Sequence, residues 1–112
     1  KLILGGFSQG AAMATEVFMH KKIQQRVLGL VLISGKSVRP KELYESLLDH
    51  PVPVVWMHGD RDKIVSMEQA FELSNLIEKA NCPILKLQHH KGHMVDLNQK
   101  NLIIEWIRSV SQ

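Results

Sequence analysis

Apolar positions along this chain come in short bursts of two kinds. Leu2-Ile3-Leu4, Val27 to Ile33 and Val54-Val55-Trp56-Met57 are unbroken runs whose length and β-branching predict strands covered on both faces. Pro83 to Gln88 instead alternates at Leu85, Lys86, Leu87 and Gln88, which predicts a half-exposed strand near a sheet edge. Between these runs the apolar residues recur at helical spacing. Ala11, Ala12, Ala14, Val17 and Phe18 predict a helix to about Lys22, and Pro40 opens a short one through Leu47 and Leu48. Ser66 caps another from Met67 to about Lys79. After a loop from His89 to Asp96, a last helix is expected from Leu97 to Val110, with Leu102, Ile103, Trp106, Ile107 and Val110 on its buried side.

Strand and helix thus alternate four times, without an internal repeat or a low-complexity linker. Such alternation requires right-handed crossovers, and so an α/β fold with a parallel sheet between helices. Ligand chemistry belongs at the carboxyl ends of the strands.

The first of those ends is the most informative stretch. Leu2-Ile3-Leu4-Gly5-Gly6-Phe7-Ser8-Gln9-Gly10-Ala11 reads as strand, sharp turn and helix, with Ser8 at the apex. A serine lifted clear of a sheet in this way needs a strained backbone, and Cβ atoms at Gly6 and Gly10 are expected to collide where strand and helix approach. The third strand is followed by Asp60 and Asp62, and the fourth by His89, His90 and His93. A serine hydroxyl needs an imidazole to take its proton, and the imidazole needs an acceptor to fix its tautomer. Among the histidines, His93 suits that task because Gly92 precedes it and it lies in the loop entering the last helix. His58 reads as a packed strand-end residue, and His20 and His50 as surface. The acid stays open between Asp60 and Asp62, with Asp96 as a helix cap.

Composition narrows the field. The chain has 112 residues, 45% hydrophobic and 22% charged, the profile of one globular domain. No run of eighteen apolar residues and no signal-like segment occurs, so no transmembrane segment is expected and the cytoplasm is the expected compartment. Cys82, the only cysteine, reads as a core-edge residue. A net charge of +3 with pI near 9.2 raises nucleic acid as a partner, but the basic residues are dispersed and lack interleaved aromatics, so none is expected. No HExxH spacing occurs among the histidines, and neither a metal nor an organic cofactor is expected.

Gly5-Gly6-Phe7-Ser8-Gln9-Gly10-Ala11, His58-Gly59-Asp60-Arg61-Asp62-Lys63-Ile64-Val65 and Gly92-His93 together resemble the carboxylesterase and phospholipase group of α/β hydrolases, which includes the acyl-protein thioesterases and lysophospholipases. The resemblance runs the length of the chain. It implies Ser8 as nucleophile, Asp62 rather than Asp60 as the acid, His93 as base and the Gln9 N–H as one oxyanion donor. The substrate it implies is a small-molecule, lipid or acyl-protein ester or thioester. A serine peptidase of the same fold and a non-catalytic binding or assembly module are the alternatives.

The family domain is about twice this length. Residues 1–112 are therefore expected to be the carboxyl-terminal half of one α/β-hydrolase domain, cut from something longer. The second oxyanion donor and much of the acyl groove are then missing, and weak or no activity is expected of this chain alone. The Leu2–Leu4 strand should be an open edge, covered in the working protein by the missing N-terminal half or by a second copy of the chain.

Overall fold

A computed structural model describes all 112 residues. Four strands, β1 (Leu2–Phe7), β2 (Val27–Ile33), β3 (Val54–Gly59) and β4 (Ile84–His89), form one parallel sheet in the order β1-β2-β3-β4. Every crossover therefore joins neighbours. The helices are α1 (Gln9–Met19), a single turn α2 (Lys21–Gln24), α3 (Pro40–Asp49), α4 (Met67–Lys79) and α5 (Lys100–Val110). The carboxyl ends of all four strands consequently lie along one rim.

The period-2 alternation of strand side chains sorts the core into two layers. Leu30, Leu32, Val54 and Trp56 point to the face covered by α1, α3 and α4, where they meet Phe18, Leu43, Leu47, Leu73 and Ile77. Val31, Ile33, Val55, Met57 and Leu87 point the other way, toward Ile103 and Trp106 of α5. Each fully buried large side chain stabilises the fold by about 1.5–3 kcal/mol. The larger layer therefore dominates. Trp56 shows how its polar atom is accommodated: the indole N–H donates to the Ala70 carbonyl at 3.1 Å, so the ring is buried without an orphan donor.

Helix α4 starts where its sequence says it should. Ser66 accepts from the Gln69 N–H while the Gln69 side chain accepts from the Ser66 N–H, a reciprocal capping box. Three other expectations need correction. The first helix stops at Met19, with a separate turn after His20. The last helix does not run unbroken from Leu97: a 3₁₀ turn (Leu97–Gln99) precedes α5. Nor is its apolar stripe buried as expected, because Leu102 is 50% and Ile107 37% exposed. Gly29 explains the seating of α5. A Cβ there would lie 2.6 Å from the Trp106 ring, so the helix docks through Trp106 and Ile103 and leaves its flanks uncovered.

β1 and β4 are the two edges of the sheet. β4 alternates buried and exposed residues as its pattern predicts, with Lys86 pointing outward to pair with Glu78 at 2.6 Å. No helix is long and apolar enough to cross a membrane.

Candidate active site

Ser8 sits between the end of β1 and the start of α1, with φ 59° and ψ −115°. This is the left-handed half of conformational space, which a non-glycine residue enters at a cost of order 1–3 kcal/mol. The turn is held from both sides. The Ser8 N–H donates to the Ile33 carbonyl at 2.8 Å, and the Ser8 carbonyl accepts from Ala11 N–H at 3.0 Å. Strand ladder and helix together impose the strain.

The glycines around it divide unequally. A Cβ on Gly6 would overlap the Gly10 carbonyl group and lie 2.6 Å from the Ala11 nitrogen, whereas a Cβ on Gly10 would meet nothing within 4 Å. The expected collision therefore belongs to Gly6 alone; Gly10 matters as the backbone that Gly6 must clear. Gly6→Ala should lower stability by about 1–3 kcal/mol or more, because backbone atoms cannot rotate away as side chains do. The midpoint of urea unfolding reads this directly, and Gly10→Ala should show a much smaller shift.

The structure brings three of the predicted site residues into one hydrogen-bonded chain. Ser8 Oγ lies 2.8 Å from His93 Nε2, and His93 Nδ1 lies 2.7 Å from Asp62 Oδ2. An ionised carboxylate only accepts hydrogen bonds, so Nδ1 carries the proton and Nε2 is left with its lone pair toward the serine. The Phe7 ring packs against the imidazole with centroids 5.0 Å apart. Gln9 is the first residue of α1, and its N–H is one of those that a helix start leaves without an intrahelical partner.

Asp62 is fixed by its own turn. Its Oδ1 accepts from the N–H groups of Ile64 and Val65, each at 2.8 Å. The Val65 carbonyl in turn accepts from Nε2 of the buried His58 at 2.8 Å. Burial pushes the Asp62 carboxyl up, but the Val65 N–H, the His93 ring and the Ile64 N–H together outweigh it and hold the group below the ordinary carboxylate range. Asp62 is thus an anion at neutral pH.

The competing residues lie elsewhere. Asp60 is tied to the exposed His90, Oδ2 to Nδ1 at 2.7 Å, and takes no part in the serine's chain. Asp96 caps the 3₁₀ turn, accepting from Asn98 N–H. His89 is buried, its Nδ1 accepting from Lys91 N–H at 3.1 Å. His50, expected at the surface, is half-buried, its ring 6.4 Å from that of Phe18, whereas His20 is exposed as expected.

Sequence reasoning missed Gly59. A Cβ there would overlap the Lys91 carbonyl and lie 2.5 Å from the Gly92 carbonyl and 2.6 Å from the His89 ring. The loop carrying His93 crosses the end of β3 through the space that this glycine leaves. Its sequence signals are its place at a strand end ahead of Asp62, which reads equally well as a turn glycine, and its position inside a segment that carries the resemblance. Beside Ser8 lies a pocket of about 300 Å³, lined among others by Gln9, Ala12, Val38, Ile64 and Val65. Its walls are largely apolar, and Ser8 is among the residues that line it.

A parallel α/β sheet with a strained serine after one strand, an aspartate after another and a histidine in the loop before the last helix defines a class of hydrolase-type folds. The chain belongs to the phospholipase/carboxylesterase family, whose sequence profile matches residues 1–110. It is 27% identical over 119 aligned residues to acyl-protein thioesterase 1 of Candida albicans, covering 98% of this chain and 50% of that protein. With acyl-protein thioesterase 1 of Debaryomyces hansenii it shares 32% identity over 98 residues, 82% of this chain and 40% of that one. Among solved structures, that of esterase PE8 superposes with a TM-score of 0.79 at 23% identity, over 96% of this chain and 49% of the other. The chain spans half or less of the length of the curated relatives it matches.

Proposed function

We propose that this chain carries the nucleophile, base and acid of a serine hydrolase acting on carboxylic esters or thioesters. The observation that carries the reading is the chain of contacts from Ser8 Oγ through the His93 ring to Asp62, at 2.8 and 2.7 Å. His93 Nε2 takes the Ser8 proton as Oγ attacks the acyl carbon. The Gln9 N–H, aided by the positive end of α1, faces the oxygen that becomes negative. The imidazolium, stabilised by Asp62, then protonates the departing alcohol or thiol. Water enters by the same route to release the acyl group from Ser8.

Ester substrates are favoured over amides by the family and by the relatives' names, acyl-protein thioesterase among them. The apolar pocket at Ser8 suits an acyl chain. With Gln9 as the one oxyanion donor identified, turnover by the 112-residue chain should fall about 100-fold to 1,000-fold below that of a site with two. A panel of p-nitrophenyl esters, thioesters and anilides of equal acyl length tests the reading. Hydrolysis of esters and thioesters, abolished by Ser8→Ala, is expected; preference for anilides would make it a peptidase, and activity surviving Ser8→Ala would refute it.

The open β1 edge and the uncovered flank of α5 should be covered in the working protein, either by polypeptide homologous to the rest of its relatives or by a second copy. Light scattering that finds a monodisperse, stable monomer of this chain would count against both.

A further inference from the structure

His93 stands at the middle of a short loop between β4 and the 3₁₀ turn, and little within that loop holds it. Between Gly92 and Val95 the one internal backbone bond is Met94 N–H to the Gly92 carbonyl at 2.9 Å. The two ends are held far better. At one end the Lys91 carbonyl accepts from Arg61 N–H at 3.1 Å, and the Lys91 N–H donates to His89 Nδ1. At the other, Asp96 Oδ1 accepts from Asn98 N–H, Oδ2 accepts from the Gln99 side chain at 2.9 Å, and the Asp96 N–H meets the Met57 sulfur at 3.4 Å. The ends are then joined directly: Lys91 Nζ donates to Asp96 Oδ1 at 2.9 Å, with the carboxylate nearly buried and the lysine about half so.

We propose that the Lys91–Asp96 ion pair is a clasp that positions His93, closing the loop at its base so that the imidazole at its apex reaches Ser8 and Asp62 together. Neither residue touches the reacting atoms; both act through the span of the loop. Four residues separate the partners, and a chain of that length has many conformations unless its ends are fixed. The hydrogen bonds from Lys91 and Gln99, with that from Asn98 N–H, outweigh burial and lower the Asp96 carboxyl to about 2, so this carboxylate is ionised throughout the neutral range. Nearly buried, the carboxylate gains more from its partner than a fully exposed one would, since solvent screens it less. The clasp gives Asp96 a second task beyond capping. The inference rests on the reading of His93 as the base, and its test separates the two.

The test compares the parent chain with Lys91→Met, Asp96→Asn, the double variant and Lys91→Arg by two readouts. One is the downfield proton resonance of His93 Nδ1–H hydrogen-bonded to Asp62, which needs no reaction at Ser8. The other is the rate at which a fluorophosphonate modifies Ser8. Lys91→Met should unfold cooperatively like the parent yet lose or broaden the resonance and modify Ser8 about 10-fold to 100-fold more slowly, the effect of displacing a reacting group by about an ångström. Lys91→Arg should restore both, and the double variant should be no worse than either single one. An unchanged resonance and rate in Lys91→Met, or losses that add in the double variant, would overturn the clasp. A parent that fails to modify Ser8, but whose resonance is present and is lost in Lys91→Met, would overturn the hydrolase reading and support the clasp.

Discussion

Asp62→Asn is expected to slow covalent modification of Ser8 by roughly 10⁴-fold while leaving the sheet intact. The argument is one of tautomers. Asparagine can keep its oxygen toward the Ile64 and Val65 N–H groups, which both point at Oδ1 in the parent. Its amide nitrogen then faces His93 Nδ1, where Asp62 Oδ2 had been an acceptor. A donor in that place forces Nδ1 to give up its proton and Nε2 to carry it. The ring then donates to Ser8 and can no longer accept from it. Single-turnover labelling at pH 7.5 measures the loss.

The same substitution has a signature in stability. Because the folded Asp62 carboxyl lies below its ordinary value, its contribution is present above the unfolded value of about 3.9 and is lost as pH falls through the lower folded one. Asp62→Asn should therefore flatten the acid side of the stability curve below about pH 4. An unchanged acid slope would mean that the carboxylate is not stabilised in the native state.

Gly59→Ala should disrupt the site from a distance. The new methyl group would have to occupy the space through which the Lys91 and Gly92 carbonyls pass, and neither backbone group has a rotamer to escape by. Overpacking of this kind typically destabilises by about 1–3 kcal/mol, and where the obstacle is backbone the loop moves instead. Displacing His93 by about an ångström would alone slow Ser8 modification about 100-fold. The comparison that checks it is Gly92→Ala, whose Cβ would have its nearest neighbour at 3.6 Å and which should be far milder. Equal losses in the two variants would remove Gly59 from the account.

The parts of this molecule legible in the sequence are those that depend on local pattern. The alternation of runs gives the parallel sheet between helices, because each strand-helix-strand unit returns by a right-handed crossover; the order β1-β2-β3-β4 comes from the structure. Ser66 and Gln69 announce α4, since a capping box is written within four residues. The contacts of Ser8, Asp62 and His93 follow from their places after the first, third and fourth strands, once the resemblance singles out Asp62 over Asp60.

What stayed hidden is non-local. Gly59 and Gly29 are small because something passes close by, which the sequence predicts at Gly6 but not at these two, and none of the glycines has positive φ; that conformation falls on Ser8, Ser34 and Asn81. A reading of glycine as conformational freedom therefore looks in the wrong places here. The uncovered flank of α5 was equally hidden, because an amphipathic stripe records which residues would be buried and not how much of a partner surface is present. The pairing of Lys91 with Asp96 has no sequence signal at all, since two opposite charges five apart in a loop are most often solvated.

The central claim is that His93 activates Ser8 as a nucleophile. Intact-mass analysis and peptide mapping after exposure to a fluorophosphonate test it most directly. The account predicts a single adduct, on Ser8, that forms in the parent chain, is absent from Ser8→Ala and is slowed about 100-fold to 10,000-fold in His93→Ala. An adduct on another residue, or one that forms on Ser8 at the same rate without His93, would contradict it.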